Sequence, residues 1–378
     1  MSISKKMIPV QRPCIGQREL DAVSGVFNSR WLGMGSMTRA FEKELCEFLG
    51  VRHVITVSTG TAALHLALAV LELKPGDEVI VPSLTFVSCV QAILAVRARP
   101  VFCDVDENTL NVDIDDAKRK ITKRTKVIMP VHFAGVVCDM EKLLTIARDE
   151  KIKIVEDAAH AFGSTYKGRM AGTIGDINCF SFDPIKNITC GEGGAIATNN
   201  HELANRVLPK RNVGVSQDTW SRLEKKQPWY YEVVTQGYRY HLSNINAAIG
   251  IEQLKQFSEF KARKQAVVTS YDESFEEVNG LKLIRHPIQE TFPFFYVIRV
   301  LNNRRDALMN YLKERGIATL VHYIPNHLHP LCAEFRVPLA TTERLYDEIL
   351  TLPLYFEMSD ADVRRVIEGV LSFFEKNA

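Results

Sequence analysis

The sequence predicts an α/β fold in which a large sheet domain is followed by a smaller α+β domain. Three observations carry this expectation. Between about residues 54 and 200, short apolar runs of strand length alternate with helix-like stretches. After about residue 250 the pattern changes to longer, charged helical segments. The chain has 378 residues, 46% of them hydrophobic, enough for one large core and a second, smaller one.

Taken in order, the strand candidates of the first region are 78–81, 100–105, 126–131, 152–156, 178–182 and 195–198. Helix-like segments lie between them, so the sheet should be largely parallel. Residues 61–71 are rich in Ala and Leu, and 139–149 open on Asp139, a residue type that caps helix N-termini; both read as crossover helices. Residues 209–236 are polar and aromatic, with Trp220, Trp229, Tyr230 and Tyr231, and read as a long functional loop or lid. Further on, 253–277, 304–315 and 360–376 read as helices, with strands at 294–300 and 319–323. The division is therefore placed between 1–250, which includes an N-terminal arm, and 251–378.

A net charge of +2 gives no electrostatic case for nucleic acid or an anionic membrane as the main partner. No run approaches the roughly 18 to 20 apolar residues of a membrane span, and no apolar stretch follows the basic residues at the N-terminus. A cytoplasmic enzyme acting on small molecules fits this balance. The eight cysteines contain no CxxC pair and several lie in apolar runs, so neither a disulfide framework nor a metal site is expected.

The chemistry centres on Lys186. It follows the apolar run 177–182 and precedes a turn with Gly191, Gly193 and Gly194. Partial burial there lowers the basicity of an amine and frees it to attack a carbonyl. Asp157 ends the apolar strand 152–156, and in open α/β sheets ligands sit at the carboxyl ends of strands. A lysine paired with a carboxylate is what pyridoxal 5′-phosphate (PLP) needs: an amine for the Schiff base and an acid to keep the pyridine nitrogen protonated. At 57–64 a short strand turns through Gly60 and Thr61 into an Ala-rich helix, whose first amides form an anion site that Ser181 would complete. Phe86, just beyond the strand at 78–81, is placed to stack on a flat ring.

The motifs STGTAAL (58–64), PSLTFV (82–87), EDAAHAFGS (156–164), SFDPIKNITCGEGG (181–194) and GYRYHLSNINAAIG (237–250) resemble, in this order, the PLP-dependent sugar aminotransferases of the DegT/DnrJ family. The likeness runs from about residue 8 to the C-terminus. It implies fold type I, with a mostly parallel seven-stranded sheet between helices, and a homodimer whose cofactor sites lie at the subunit interface. Lys186 would hold PLP and shuttle the proton. Asp157 would pair with the pyridinium nitrogen, Phe86 would stack on the ring, and Gly60, Thr61 and Ser181 would bind phosphate. His160 stands where relatives carry Gln or His near the 3-oxygen.

Two positions depart from the family. Asp183 replaces a His found in many relatives, and Arg239 replaces an Asn that reaches the partner's cofactor phosphate. Arg239, His241 and Asn244 are the alternatives for that donor. Relatives that dehydrate carry His in place of the lysine, so Lys186 implies transamination. The resemblance further implies L-glutamate as amino donor, pyridoxamine phosphate as the intermediate cofactor form, and a keto-sugar acceptor. That acceptor would be a nucleotide-linked 4-keto-6-deoxy or 3-keto-6-deoxy hexose, on the way to an O-antigen, another surface polysaccharide or a glycosylated metabolite. Lys210, Arg211 and Arg222 are candidates to meet its diphosphate, and His322, His327 and His329 to meet the sugar. These histidines have no carboxylate or cysteine at ligand spacing, so no metal is expected. A keto- or aldehyde-bearing sugar acid without a nucleotide would leave the same sequence features. A regulatory protein on the same fold would have lost Lys186 or Asp157, and both are present.

Overall fold

The structure, a computed structural model, describes residues 7–216 and 229–375. In chain order the first nine strands are β1 (His53–Val57), β2 (Glu78–Pro82), β3 (Arg99–Cys103), β4 (Thr125–Ile128), β5 (Lys153–Asp157), β6 (Thr165–Tyr166), β7 (Arg169–Met170), β8 (Ile177–Ser181) and β9 (Gly194–Thr198). All but the β6–β7 hairpin join one seven-stranded sheet in the order β1-β9-β8-β5-β4-β2-β3. Only β9 runs antiparallel to its neighbours, so the mostly parallel sheet of fold type I is found. Every residue of β2, β8 and β9 is buried, as strands covered by helices on both faces must be.

The Ala- and Leu-rich segment forms the helix Gly60–Ala69. Thr59 caps it, its Oγ1 accepting from the Ala62 amide at 3.0 Å. The helix is apolar on all sides, with residues 62–68 buried, and it packs on β8 and β9. The helix Met140–Glu150 starts behind Asp139, whose carboxylate accepts from the Lys142 amide. An aromatic cluster under the Lys186 loop holds Phe41, Phe162, Phe180 and Phe182, with Phe182 centroids 5.5 Å from Phe41 and 5.4 Å from Phe162.

A second, antiparallel sheet comprises β10 (Leu281–Leu283), β11 (Tyr296–Val300) and β12 (Ile349–Leu352). Its core joins Tyr271, Phe275 and the helix Asp360–Glu375, with Ile8 bonded by its backbone to Gly316 and Ala318. Here the sequence reading needs correction. The helix expected at 253–277 is two helices, Asn244–Lys255 and Phe257–Phe275, meeting at Gln256. The strand expected at 319–323 is a single bridge from Leu320 to Thr351; β12, a short run directly after the helix Ala340–Glu348, takes its place. The 250/251 division lies inside a continuous helix, and the chain passes between cores along Phe257–Phe275, where Phe260 belongs to the aromatic cluster and Val267 to the second core. The lid expected at 209–236 begins within the helix His201–Arg211, while Trp220 and Arg222 lie outside the described residues. Phe182→Ala should cost about 3 to 5 kcal/mol, because a fully buried ring leaves a cavity the aromatic cluster closes only in part. Urea unfolding measures it, and a loss below about 1 kcal/mol would contradict this packing.

Candidate active site

The catalytic candidates gather at the carboxyl ends of the parallel strands. Gly194, the first residue of β9, pairs with Val57 on one side and Ser181 on the other. A Cβ on Gly194 would lie 2.4 Å from the Thr59 carbonyl oxygen, and one on Gly60 would lie 2.7 Å from Ser181 Cβ. The backbones therefore close on each other only because both residues lack side chains. This approach sets the Ser181 hydroxyl beside the first turn of the helix Gly60–Ala69, where amides have no intrahelical acceptor. Thr61 sits at the exposed mouth, its Oγ1 2.7 Å from Ser88 Oγ.

Asp157 ends β5 and is buried. Its Oδ1 accepts from the Ala159 amide at 3.0 Å and its Oδ2 from the Cys89 thiol at 2.9 Å. Cys89 is thus more than a small hydrophobe: burial and the adjacent carboxylate hold it as a thiol, able only to donate to Asp157. The preceding residue, Glu156, is turned to the opposite face of the strand. It accepts from His132 Nε2 at 2.7 Å and from the amides of Gly172 and Ile174, bonds that outweigh its burial and keep its pKa below the ordinary value. Cys138 N–H donates to His132 Nδ1 at 3.2 Å, so the imidazole proton sits on Nε2 and points at Glu156. One acid of the pair serves the site and the other braces the loop beneath it.

Lys186 sits in a turn organised by Asp183, whose carbonyl accepts from the Lys186 amide at 3.0 Å and whose Oδ1 accepts from Ile185 at 3.1 Å. Its ammonium nitrogen lies 4.2 Å from the centroid of Phe294. Burial lowers the amine pKa to about 8, against the opposing pull of Asp157 and Asp183. Phe294 also stacks on His160 at 4.5 Å. His160 is buried; its Nε2 is 3.1 Å from the Tyr323 hydroxyl and its Nδ1 has no partner among the described residues. Burial, then the charge of Lys186, pushes its pKa well below the usual range, so the ring is neutral. Phe86 is not core: it is 54% exposed, 5.8 Å from the Tyr323 ring.

The histidines at 322–329 separate. His322 stacks on Phe295 at 4.6 Å, and burial and Lys186 lower its pKa to about 4. His327 is fully buried between Ser83 Oγ at 2.7 Å and Glu343 at 3.1 Å, a structural link between the β2 turn and the helix Ala340–Glu348 with no surface for a sugar. His329 is a turn residue before Pro330. Asn244 is buried and committed within the chain, accepting from Thr38 N and Oγ1 and donating to the Trp31 carbonyl at 3.0 Å, so in this arrangement it presents no surface to a partner. Arg239 is exposed, and His241 pairs by its backbone with Val57 beside the Gly60 turn, its Nδ1 unpartnered among the described residues. Arg211 is buried against Glu42 and the Thr56 carbonyl, and Lys210 reaches back to Thr235. Neither meets a diphosphate in this arrangement.

Tyr323, Phe294 and Cys89 are the residues the motifs did not single out. The first directly follows His322, but nothing in sequence links it to His160, 163 positions away. Together the site fits PLP: a cradle that a Cβ at residue 60 would fill, an exposed aromatic face, a buried carboxylate, an unpartnered imidazole nitrogen and an amine of lowered basicity.

The DegT/DnrJ/EryC1/StrS aminotransferase family model matches residues 13–371. SpsC, a spore coat polysaccharide biosynthesis protein of Bacillus subtilis, is 39% identical over 96% of both chains. Among solved structures, the aminotransferase TlmJ from Streptoalloteichus hindustanus superposes with a TM-score of 0.93 at 36% identity, covering 98% of this chain and all of its own. The sugar aminotransferase Spr1654 from Streptococcus pneumoniae, described as putative and solved in PLP and pyridoxamine phosphate forms, gives 0.91 and 0.92 at 30% and 31% identity, covering 98% of this chain and all of its own in both forms. Matched almost end to end and carrying this site, the chain belongs to the DegT/DnrJ/EryC1/StrS aminotransferase family and is a PLP-dependent sugar aminotransferase.

Proposed function

We propose that the protein transfers an amino group from L-glutamate to a nucleotide-linked 4-keto-6-deoxy or 3-keto-6-deoxy hexose, with Lys186 as the residue that holds the cofactor and moves the proton. The observation that carries this reading is the Lys186 amine, its pKa lowered to about 8, at the mouth between Asp157, His160 and the Gly60–Ser181 cradle. PLP supplies an electron-withdrawing ring that stabilises a carbanion at the substrate carbon. Gly60, Thr61 and Ser181 would bind its phosphate, Asp157 would pair with its pyridine nitrogen, and Phe86 would cover one ring face. The His160 Nδ1, unpartnered among the described residues, would serve the 3-oxygen. Lys186 would be the general base and acid that moves a proton between the substrate carbon and C4′. His322, neutral at pH 7, and Tyr323 line the sugar side.

The reading includes a homodimer with shared sites, to which Arg239 or His241 lends the phosphate donor, and a cytoplasmic location. In the same reading, the large cofactor-binding domain is 1–250, with its N-terminal arm, and the small C-terminal domain is 251–378, the helix Asn244–Lys255 running across the division. The similarity to SpsC, a spore coat polysaccharide biosynthesis protein, supports a surface-polysaccharide product. Among the described residues no helix is long and apolar enough to cross a membrane.

Purified protein should show a visible band with PLP that L-glutamate bleaches. Lys186→Ala should abolish the band and slow turnover by about 10²- to 10⁴-fold; a band that persists contradicts the assignment. Because only the uncharged amine attacks a carbonyl, PLP capture should accelerate as pH rises through about 8, and a midpoint near 10.5 would show an unperturbed lysine. Gly60→Ala should weaken PLP binding about tenfold to hundredfold by pushing on Ser181. Turnover with a nucleotide-linked keto-sugar but not with a free keto-sugar acid supports the acceptor; the reverse result replaces it with the sugar acid.

A further inference from the structure

Lys264 is a lysine the chemistry above leaves unused. It lies in the helix Phe257–Phe275, only 6% exposed, with no carboxylate paired to it among the described residues. Its ε-nitrogen donates to Asn187 Oδ1 at 2.9 Å and to the Phe294 carbonyl at 3.1 Å. Asn187 follows Lys186 directly, and its amide donates in turn to the Phe292 carbonyl at 3.1 Å. Phe294 is the ring under the Lys186 amine and against His160. Both ends of the contact that sets the position of the Lys186 amine are thus tied to the same buried nitrogen.

We propose that Lys264 is a positioning residue for this transamination, tethering the Lys186 loop through Asn187 to the backbone of Phe294. This rests on the reading of Lys186 given above. A buried ammonium without a counter-ion is costly, but a neutral amine has two N–H groups, and two acceptors stand in place. The titratable groups around the narrow gap beside it are Lys186 on the loop, Arg12 and Cys14 on the N-terminal arm, and Tyr355 after β12; none is an acid. Burial accordingly lowers the Lys264 pKa to about 7. Above that pH the residue is mainly an uncharged donor, the reverse of a salt bridge, and its loss frees both the loop and the ring.

The test uses cofactor-loaded protein and Lys264→Met, which keeps length and apolar packing and removes both donors. The expected result is a folded protein whose kcat falls about tenfold to hundredfold, as a displacement near 1 Å in the reacting groups produces, with KM for the keto-sugar within twofold. The pH midpoint of the visible band should also move down, because the ring no longer steadies the protonated nitrogen. A folded variant with unchanged kcat, or a midpoint that stays or rises, overturns the proposal. If Lys264→Met does not fold, Asn187→Ala, which removes the acceptor and keeps the amine, must show the same split and shift, and failure to do so overturns it equally. Loss of the band in Lys186→Ala tests the underlying reading separately.

Discussion

Three backbones converge at the mouth of this sheet so tightly that residues 60 and 194 have no space for a Cβ. The rest of the site depends on that approach. It brings Ser181 to the first turn of the helix Gly60–Ala69 and makes β9 run back antiparallel between β1 and β8. The reversal of the chain between β8 and β9 is the loop that carries Lys186. A wider separation would lose the anion cradle and the lysine turn together.

Around that anchor the polar groups divide their work by burial. Ala159 and Cys89 each donate to one oxygen of the buried Asp157, and Glu156 and His132 satisfy each other underneath. The amine of Lys186 is left among aromatic rings, where neutral nitrogen costs less than charged. His160 and His322 respond to the same cation by staying neutral. A site for carbonyl chemistry needs this balance: an amine that gives up its proton more readily than an ordinary lysine, beside a buried carboxylate.

Much of this was legible in the sequence wherever the signal was local. The strand rhythm gave the six expected strands within a few residues, and the Asp139 and Gly60 turns start helices because caps and glycines act on their immediate neighbours. Lys186, Asp157, Gly60 and Ser181 meet because their motifs all sit at strand ends. What failed was long-range. His327 looked like a sugar contact until Ser83 and Glu343 closed on it, Asn244 was already engaged by Thr38 and Trp31, and Arg211 by Glu42. Apart from Glu343, these partners lie more than 100 residues away and leave no periodicity to read, and the same is true of Tyr323 and Phe294, which the motifs passed over. The missed β12 is four residues long and directly follows a helix, with no turn signal to announce it.

The central claim is that the cofactor's carbonyl carbon is captured by Lys186 and by no other amine. Borohydride reduction of the PLP-loaded protein, followed by peptide mass mapping, tests it directly. The account predicts a single pyridoxyl group on the peptide that contains Lys186. A group on Lys264 or another lysine, or none at all, would contradict it.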